Sequence, residues 1–143
     1  MYKIIVIFFA LFSVSSMALA NEIIIKRQEA MQVVRNTMKI LGPMAKGGVD
    51  YDSFLAESSL TNMLEAMKPY SSYFPEGSET GNKTQAASAI WDDKNQFEEL
   101  VNNFIADIES AIMADLENEE LFKTNFDVIS KNCRSCHMNF RSR

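Results

Sequence analysis

Hydrophobic positions recur along this chain at spacings of three and four, the period at which residues stack on one face of an α-helix. From Ile24 the series runs through Arg27, Met31, Val34, Met38, Leu41 and Ala45, and Arg27 is the one charged residue in it. A second series takes Ala56, Leu60, Met63, Met67 and Tyr70, and a third takes Phe97, Val101, Phe104, Ile108 and Ala111. The fourth runs Phe122, Phe126, Ile129, Cys133, Cys136 and Phe140. No segment alternates apolar and polar residues long enough to predict a strand. Each series must hide its face against another, which predicts an all-α, antiparallel up-down-up-down four-helix bundle.

Breaks fall between the series. Gly42-Pro43 and Gly47-Gly48 close the first, and the proline there predicts a kinked or frayed last turn. The stretch from Pro69 to about Thr84 carries two prolines and two glycines and separates the second series from the third. Asp92 or Asp93 caps the third helix, and Asn118, followed by two glutamates, caps the fourth.

The length of 143 residues suits one domain, but the first twenty stand apart. Lys3, an apolar run from Ile4 to Val14 and Ala18-Leu19-Ala20 form the three parts of an export signal. An uncleaved anchor helix is the competing reading, although the run is short for a bilayer. The expected organisation is a cleaved signal over 1–20 and a bundle domain over 21–143. The whole chain has a net charge of −5, and removing Lys3 with the signal leaves 13 basic against 19 acidic residues, or −6. That balance argues against nucleic acid and anionic membranes and favours, at most, a basic partner.

Both cysteines and the only histidine lie within the run KNCRSCHMNFRSR, at Cys133, Cys136 and His137. The spacing C-x-x-C-H is the attachment signature of haem c. Two sulfurs three residues apart reach the two vinyl-derived carbons of the porphyrin, and the adjacent imidazole can bind its iron. A redox dithiol or a small disulfide loop is the alternative in an oxidising compartment. Zinc is poorly served, because no fourth Cys or His exists. Nothing marks a nucleophile, a general acid or base or a phosphate loop, so a binding protein and not an enzyme is expected.

Up-down topology sets the start of the first helix beside the end of the last, which brings Arg27, Gln28 and Met31 towards the motif. A buried guanidinium there needs an anion, which haem propionates would supply, unless Arg27 snorkels out at the helix end. Met31 could ligate the iron or close the pocket as an apolar lid.

These residues together resemble the cytochrome c-prime family. The likeness covers nearly all of 21–143. It rests on Arg27-Gln28, Met31, Tyr73-Phe74-Pro75-Glu76-Gly77, Thr84-Gln85, Ala89-Ile90-Trp91 and the C-R-S-C-H motif followed by Arg141. It departs at Ser88-Ala89, where the family often has proline. The resemblance implies one covalent haem c on Cys133 and Cys136, with His137 as proximal iron ligand. It gives Arg27 and Gln28 to the propionates, Thr84 and Gln85 to the haem surround, and Met31 to the distal side. Trp91 would pack near the haem, and Arg141 would set a positive charge beside His137. It further implies a periplasmic protein of a Gram-negative bacterium, a homodimer free of the membrane once its signal is gone. Its high-spin, five-coordinate iron would bind NO or CO in a pocket crowded by Met31 and Val34, with electron exchange with a redox partner as a second activity. The other branch of the fold is a low-spin electron carrier with His137 and Met31 as axial ligands.

Overall fold

Four long helices form where the periodicity places them. The computed structural model describes residues 2–142, with side chains described from Leu19 onward. Helix α1 spans Tyr2–Ala45 and α2 Ser53–Met67; a 3₁₀ turn follows at Tyr70–Tyr73. Then come a short α3, Ala89–Asp92, the long α4, Lys94–Met113, and α5, Glu119–Phe140. The expected export signal at 1–20 lies almost wholly outside the described side chains. No helix among the described residues is long and apolar enough to cross a membrane.

The starts of α4 and α5 are capped by Asp93 and Asn118 as the sequence predicts, and α2 is capped by Asp52, which the sequence reading did not single out. Asp52 accepts from the Leu55 amide at 2.8 Å, and Asp93 accepts from Gln96 at 3.1 Å. Asn118 accepts from Glu120 and Leu121 at 3.1 and 3.2 Å, and Glu119 and Glu120 add negative charge at the positive end of α5. Pro43 sits inside α1, one turn from its end, where few carbonyls still need a helical donor. Gly47, at φ +68°, then turns the chain, and the Gly48 amide donates back to the Pro43 carbonyl at 2.8 Å.

Around the bundle, α1 packs on α2, α2 on α4, α4 on α5, and α5 returns to α1. The core is continuous, with Leu41, Leu60, Met63, Phe97, Ile108, Phe122 and Ile129 almost fully enclosed. On α1 the buried stripe is wider than one seam. Ala30, Thr37 and Met44 join Val34 and Leu41 inside, whereas Met31 and Met38 are only half-buried. A helix that faces two neighbours needs about three inward positions per two turns, so a small residue beside each large one completes the contact. Buried Thr37 is satisfied, donating to the Ser59 carbonyl at 3.3 Å.

The α1–α5 side is the least closely packed of the four. The 3₁₀ turn lies against α1, and α3 packs on α4 and α5. Beyond α5, Arg141 forms an antiparallel β-bridge with Ala86. The Ala87 amide donates to Phe140 at 3.0 Å, and the Ser142 amide donates to Gln85 at 2.9 Å. The end of the last helix is thereby fastened to the loop before α3.

Candidate cofactor site

The loose α1–α5 side contains a cavity of about 430 Å³. Helix α5 presents Cys133, Cys136 and His137 to it, α1 presents Arg27, Gln28, Met31 and Val34, and α4 presents Phe97, Val101 and Phe104. Thr84 and Gln85 come from the loop. Every residue singled out from the sequence to hold the cofactor or its iron therefore lines the cavity, whereas Trp91, expected to pack near the haem, does not.

Cys133 and Cys136 are free thiols and half-buried. Burial pushes the Cys133 thiol up, and it pushes Cys136 to about 11, with Cys133 adding to the effect. Reactive redox dithiols carry a lowered thiol pKa, and burial shifts these two the other way. His137 stands at the lip of the cavity. Partial burial, and after it the Arg141 cation, lower its pKa and favour the neutral imidazole that a metal requires.

Arg27 is only 3 % exposed, so it does not snorkel. Its terminal nitrogens donate to the Ser78 carbonyl at 2.8 Å, Thr84 Oγ1 at 2.7 Å, and both Tyr73 O and Ser78 Oγ at 3.4 Å. The guanidinium lies over the Phe74 ring at 4.8 Å and near Trp91 at 5.7 Å. All these partners are neutral. Among the described residues no carboxylate lies within 4.0 Å of Arg27, and burial lowers its pKa. A buried cation with no carboxylate in contact, on the wall of a largely apolar cavity, suits an anionic apolar cofactor. Paired thiols, a neutral imidazole and this cation fit haem c.

The other predicted residues have local partners too. Gln28 donates to the Asn82 carbonyl at 3.0 Å. Thr84 Oγ1 accepts from the Ala86 amide at 3.2 Å, and Gln85 Oε1 accepts from Arg141 Nη2 at 2.7 Å. Trp91 donates to the Pro75 carbonyl at 3.1 Å, which ties α3 to the loop.

Several residues escaped the sequence reading as site residues, Tyr70 and Ser78 among them. Tyr70, recognised there only as the end of a seam, lines the cavity, and its hydroxyl has no hydrogen-bond partner among the described residues. Burial raises its pKa well above the usual phenol range. Ser78 is 1 % exposed and anchors Arg27. A serine in a loop gives no sequence signal; a tyrosine ending an apolar seam gives a weak one.

A helical bundle whose cavity gathers these groups has the frame of a haem c protein. The family model for cytochrome c′ matches residues 22–141, and the chain belongs to that family, whose members carry covalently attached haem c. The chain is 29 % identical over 123 residues to a cytochrome c′ of Rhodopseudomonas palustris, covering 86 % of this chain and 84 % of that one. It is 26 % identical over 116 residues to a cytochrome c-556 of Agrobacterium tumefaciens, covering 81 % and 93 %. A variant of the cytochrome c prime of Alcaligenes xylosoxidans, solved as its nitric oxide complex, superposes with a TM-score of 0.78 at 21 % identity, covering 87 % and 97 %. Another variant of that protein, solved with carbon monoxide, gives 0.79 at 21 % identity, with the same coverage of both chains.

Proposed function

We propose that this is an exported haem c protein that binds small diatomic gases, NO or CO, and acts by binding, not by catalysis. The observation that carries the reading is the meeting of Cys133, Cys136 and His137 with Met31 in one apolar cavity. In this reading Cys133 and Cys136 hold the cofactor through thioether bonds, and His137 binds its iron. Arg27 faces the carboxylates, with Gln28, Thr84 and Gln85 ordering the wall around them. Bound there, haem c supplies an iron centre able to take a gas or exchange one electron. Met31 and Val34 crowd the opposite wall and select ligands by the space they leave, since neither offers a hydrogen bond. The solved complexes of the Alcaligenes protein support a gas as the ligand. The signal-like sequence over 1–20 supports export to the periplasm, where the mature chain would start near Asn21. Homodimer formation and a redox partner belong to the same reading.

An optical spectrum of the purified, exported protein tests it. The expected spectrum is that of high-spin, five-coordinate haem, which shifts on adding NO or CO. No haem absorbance from a host competent for haem c assembly would refute the proposal. Sharp α and β bands in the reduced protein would instead point to Met31 as a sixth ligand. In that case Met31→Ala converts the spectrum to high-spin.

A further inference from the structure

Charge around this cavity runs against the balance of the chain. The sequence holds 19 acidic and 14 basic residues, yet the cavity is lined by Arg27, Arg35, Lys83 and Arg141 and by no aspartate or glutamate. Arg27 is buried, whereas Arg35, Lys83 and Arg141 are exposed and mark the mouth. They come from three separate elements: α1, the loop before α3, and the segment after α5.

The partners of these cations leave the charge in place. Arg35 donates to Gln32 Oε1 at 3.3 Å, and Arg141 donates to Gln85 Oε1 through Nε and Nη2 at 3.2 and 2.7 Å. An amide oxygen orients a guanidinium without neutralising it. Elsewhere on the surface, Lys26, Lys68, Lys123 and Lys131 each sit on a carboxylate within 3.0 Å, whereas among the described residues Lys39, Lys46, Lys94 and Arg134 do not, so it is the grouping of cations at one mouth that is distinctive. Asp107 and Glu79 accept from Asn132 and from the Gly77 amide, and neither lines the cavity.

Lys83 adds an independent sign. Gly81, Asn82 and Lys83 are consecutive residues at φ +111°, +41° and +53°, a region that glycine and asparagine tolerate and lysine does not favour. The turn is held by Gln28 on the Asn82 carbonyl and by the Thr84 amide on Gly81 at 2.9 Å. A strained turn is thus maintained at the mouth, and a lysine stands on it.

The inference rests on the haem reading. Two propionates would match two of the four cations and leave two uncancelled. We infer that the mouth is an electropositive docking face for an acidic patch on a one-electron donor protein. The partner gives up one electron and ferric iron becomes ferrous; no bond is made or broken. Cations spread over three exposed elements suit a broad patch better than a single small anion, which would call for one concave cradle. The net charge of −5 alone would disfavour such a partner, so the two effects predict opposite salt dependences.

Stopped-flow reduction of the ferric holoprotein by a reduced flavodoxin, an acidic one-electron carrier, separates them. The rate should fall roughly threefold or more between about 0.02 M and about 0.3 M salt. Arg35→Gln with Lys83→Gln should slow it about fivefold at low salt and flatten the salt dependence, with the ferric spectrum and melting temperature unchanged. A rate that rises with salt, or a double variant as fast as the parent, overturns the docking face. So does full suppression by phosphate at constant ionic strength, which would make the mouth a small-anion site. Missing haem absorbance would sink the haem reading itself, whereas full absorbance with a rising salt slope sinks only this one.

Discussion

Arg27 shows how one side chain can be both anomaly and anchor. Its terminal N–H groups hold the loop at Tyr73, Ser78 and Thr84, and its plane covers Phe74. Arg27→Ala should therefore cost about 3 kcal/mol in urea unfolding, and Arg27→Lys should recover less than half, because an ammonium cannot reproduce the planar fork. A loss under about 1 kcal/mol would show that the loop stands without it. Tyr70 predicts the opposite pattern. Its hydroxyl has no hydrogen-bond partner among the described residues, so Tyr70→Phe should change stability by less than about 0.5 kcal/mol. Tyr70→Ala, which removes a ring packed on Phe74 at 5.1 Å, should cost about 3 kcal/mol. At this scale the sequence was legible where chemistry is local. Cys133, Cys136 and His137 announce themselves by spacing, and Arg27 by its charge on an apolar seam. Ser78, Lys83 and Arg35 could not be read, because their roles depend on where the long loop between the second and third apolar series lies against α1.

Among the elements, the starts of α4 and α5 were the most legible, since a cap is a short-range contact between a side chain and an amide two or three residues on. Asn118→Ala should cost about 1 kcal/mol, read from the shift in denaturation midpoint, because two amides of α5 lose their acceptor. The end of α1 offers a matching test. Gly47 sits at φ +68°, and a Cβ added there would meet nothing within 4 Å. Gly47→Ala should therefore cost about 1 kcal/mol through backbone strain and not through a clash. An unchanged midpoint for both variants would mean that these ends fray in solution. Two features were not legible. The inner stripe of α1 extends to Ala30, Thr37 and Met44 because that helix faces two neighbours, which a single-helix pattern does not reveal. The pairing of Ala86 with Arg141 joins residues far apart in sequence and follows from tertiary placement alone.

For the molecule as a whole, the fold was legible because four apolar stripes admit few ways of being buried together, whereas the gap in the packing was not. The α1–α5 side is held by few direct contacts, the Arg27 cluster and the clasp between residues 85–87 and 140–142. A cavity of about 430 Å³ beside it is lined by Met31, Phe104 and Cys136, at the edge of the core. Haem c would fill that volume with apolar surface and bring carboxylates to Arg27. The cofactor should thus act as part of the core. Replacing both thiols, Cys133→Ala with Cys136→Ala, removes covalent attachment without adding charge. The haem-free double variant should melt at least about 10 °C below the holoprotein and bind a hydrophobic dye such as ANS, with the helix signal in far-UV circular dichroism largely retained. Hydrogen exchange should localise the loosening to the α1–α5 side and spare the α2–α4 contact, whose core residues Leu60, Met63 and Ile108 are enclosed by the chain alone. Equal melting temperatures with and without haem would mean that the bundle closes the cavity by itself, and that the cofactor is a guest in a finished fold.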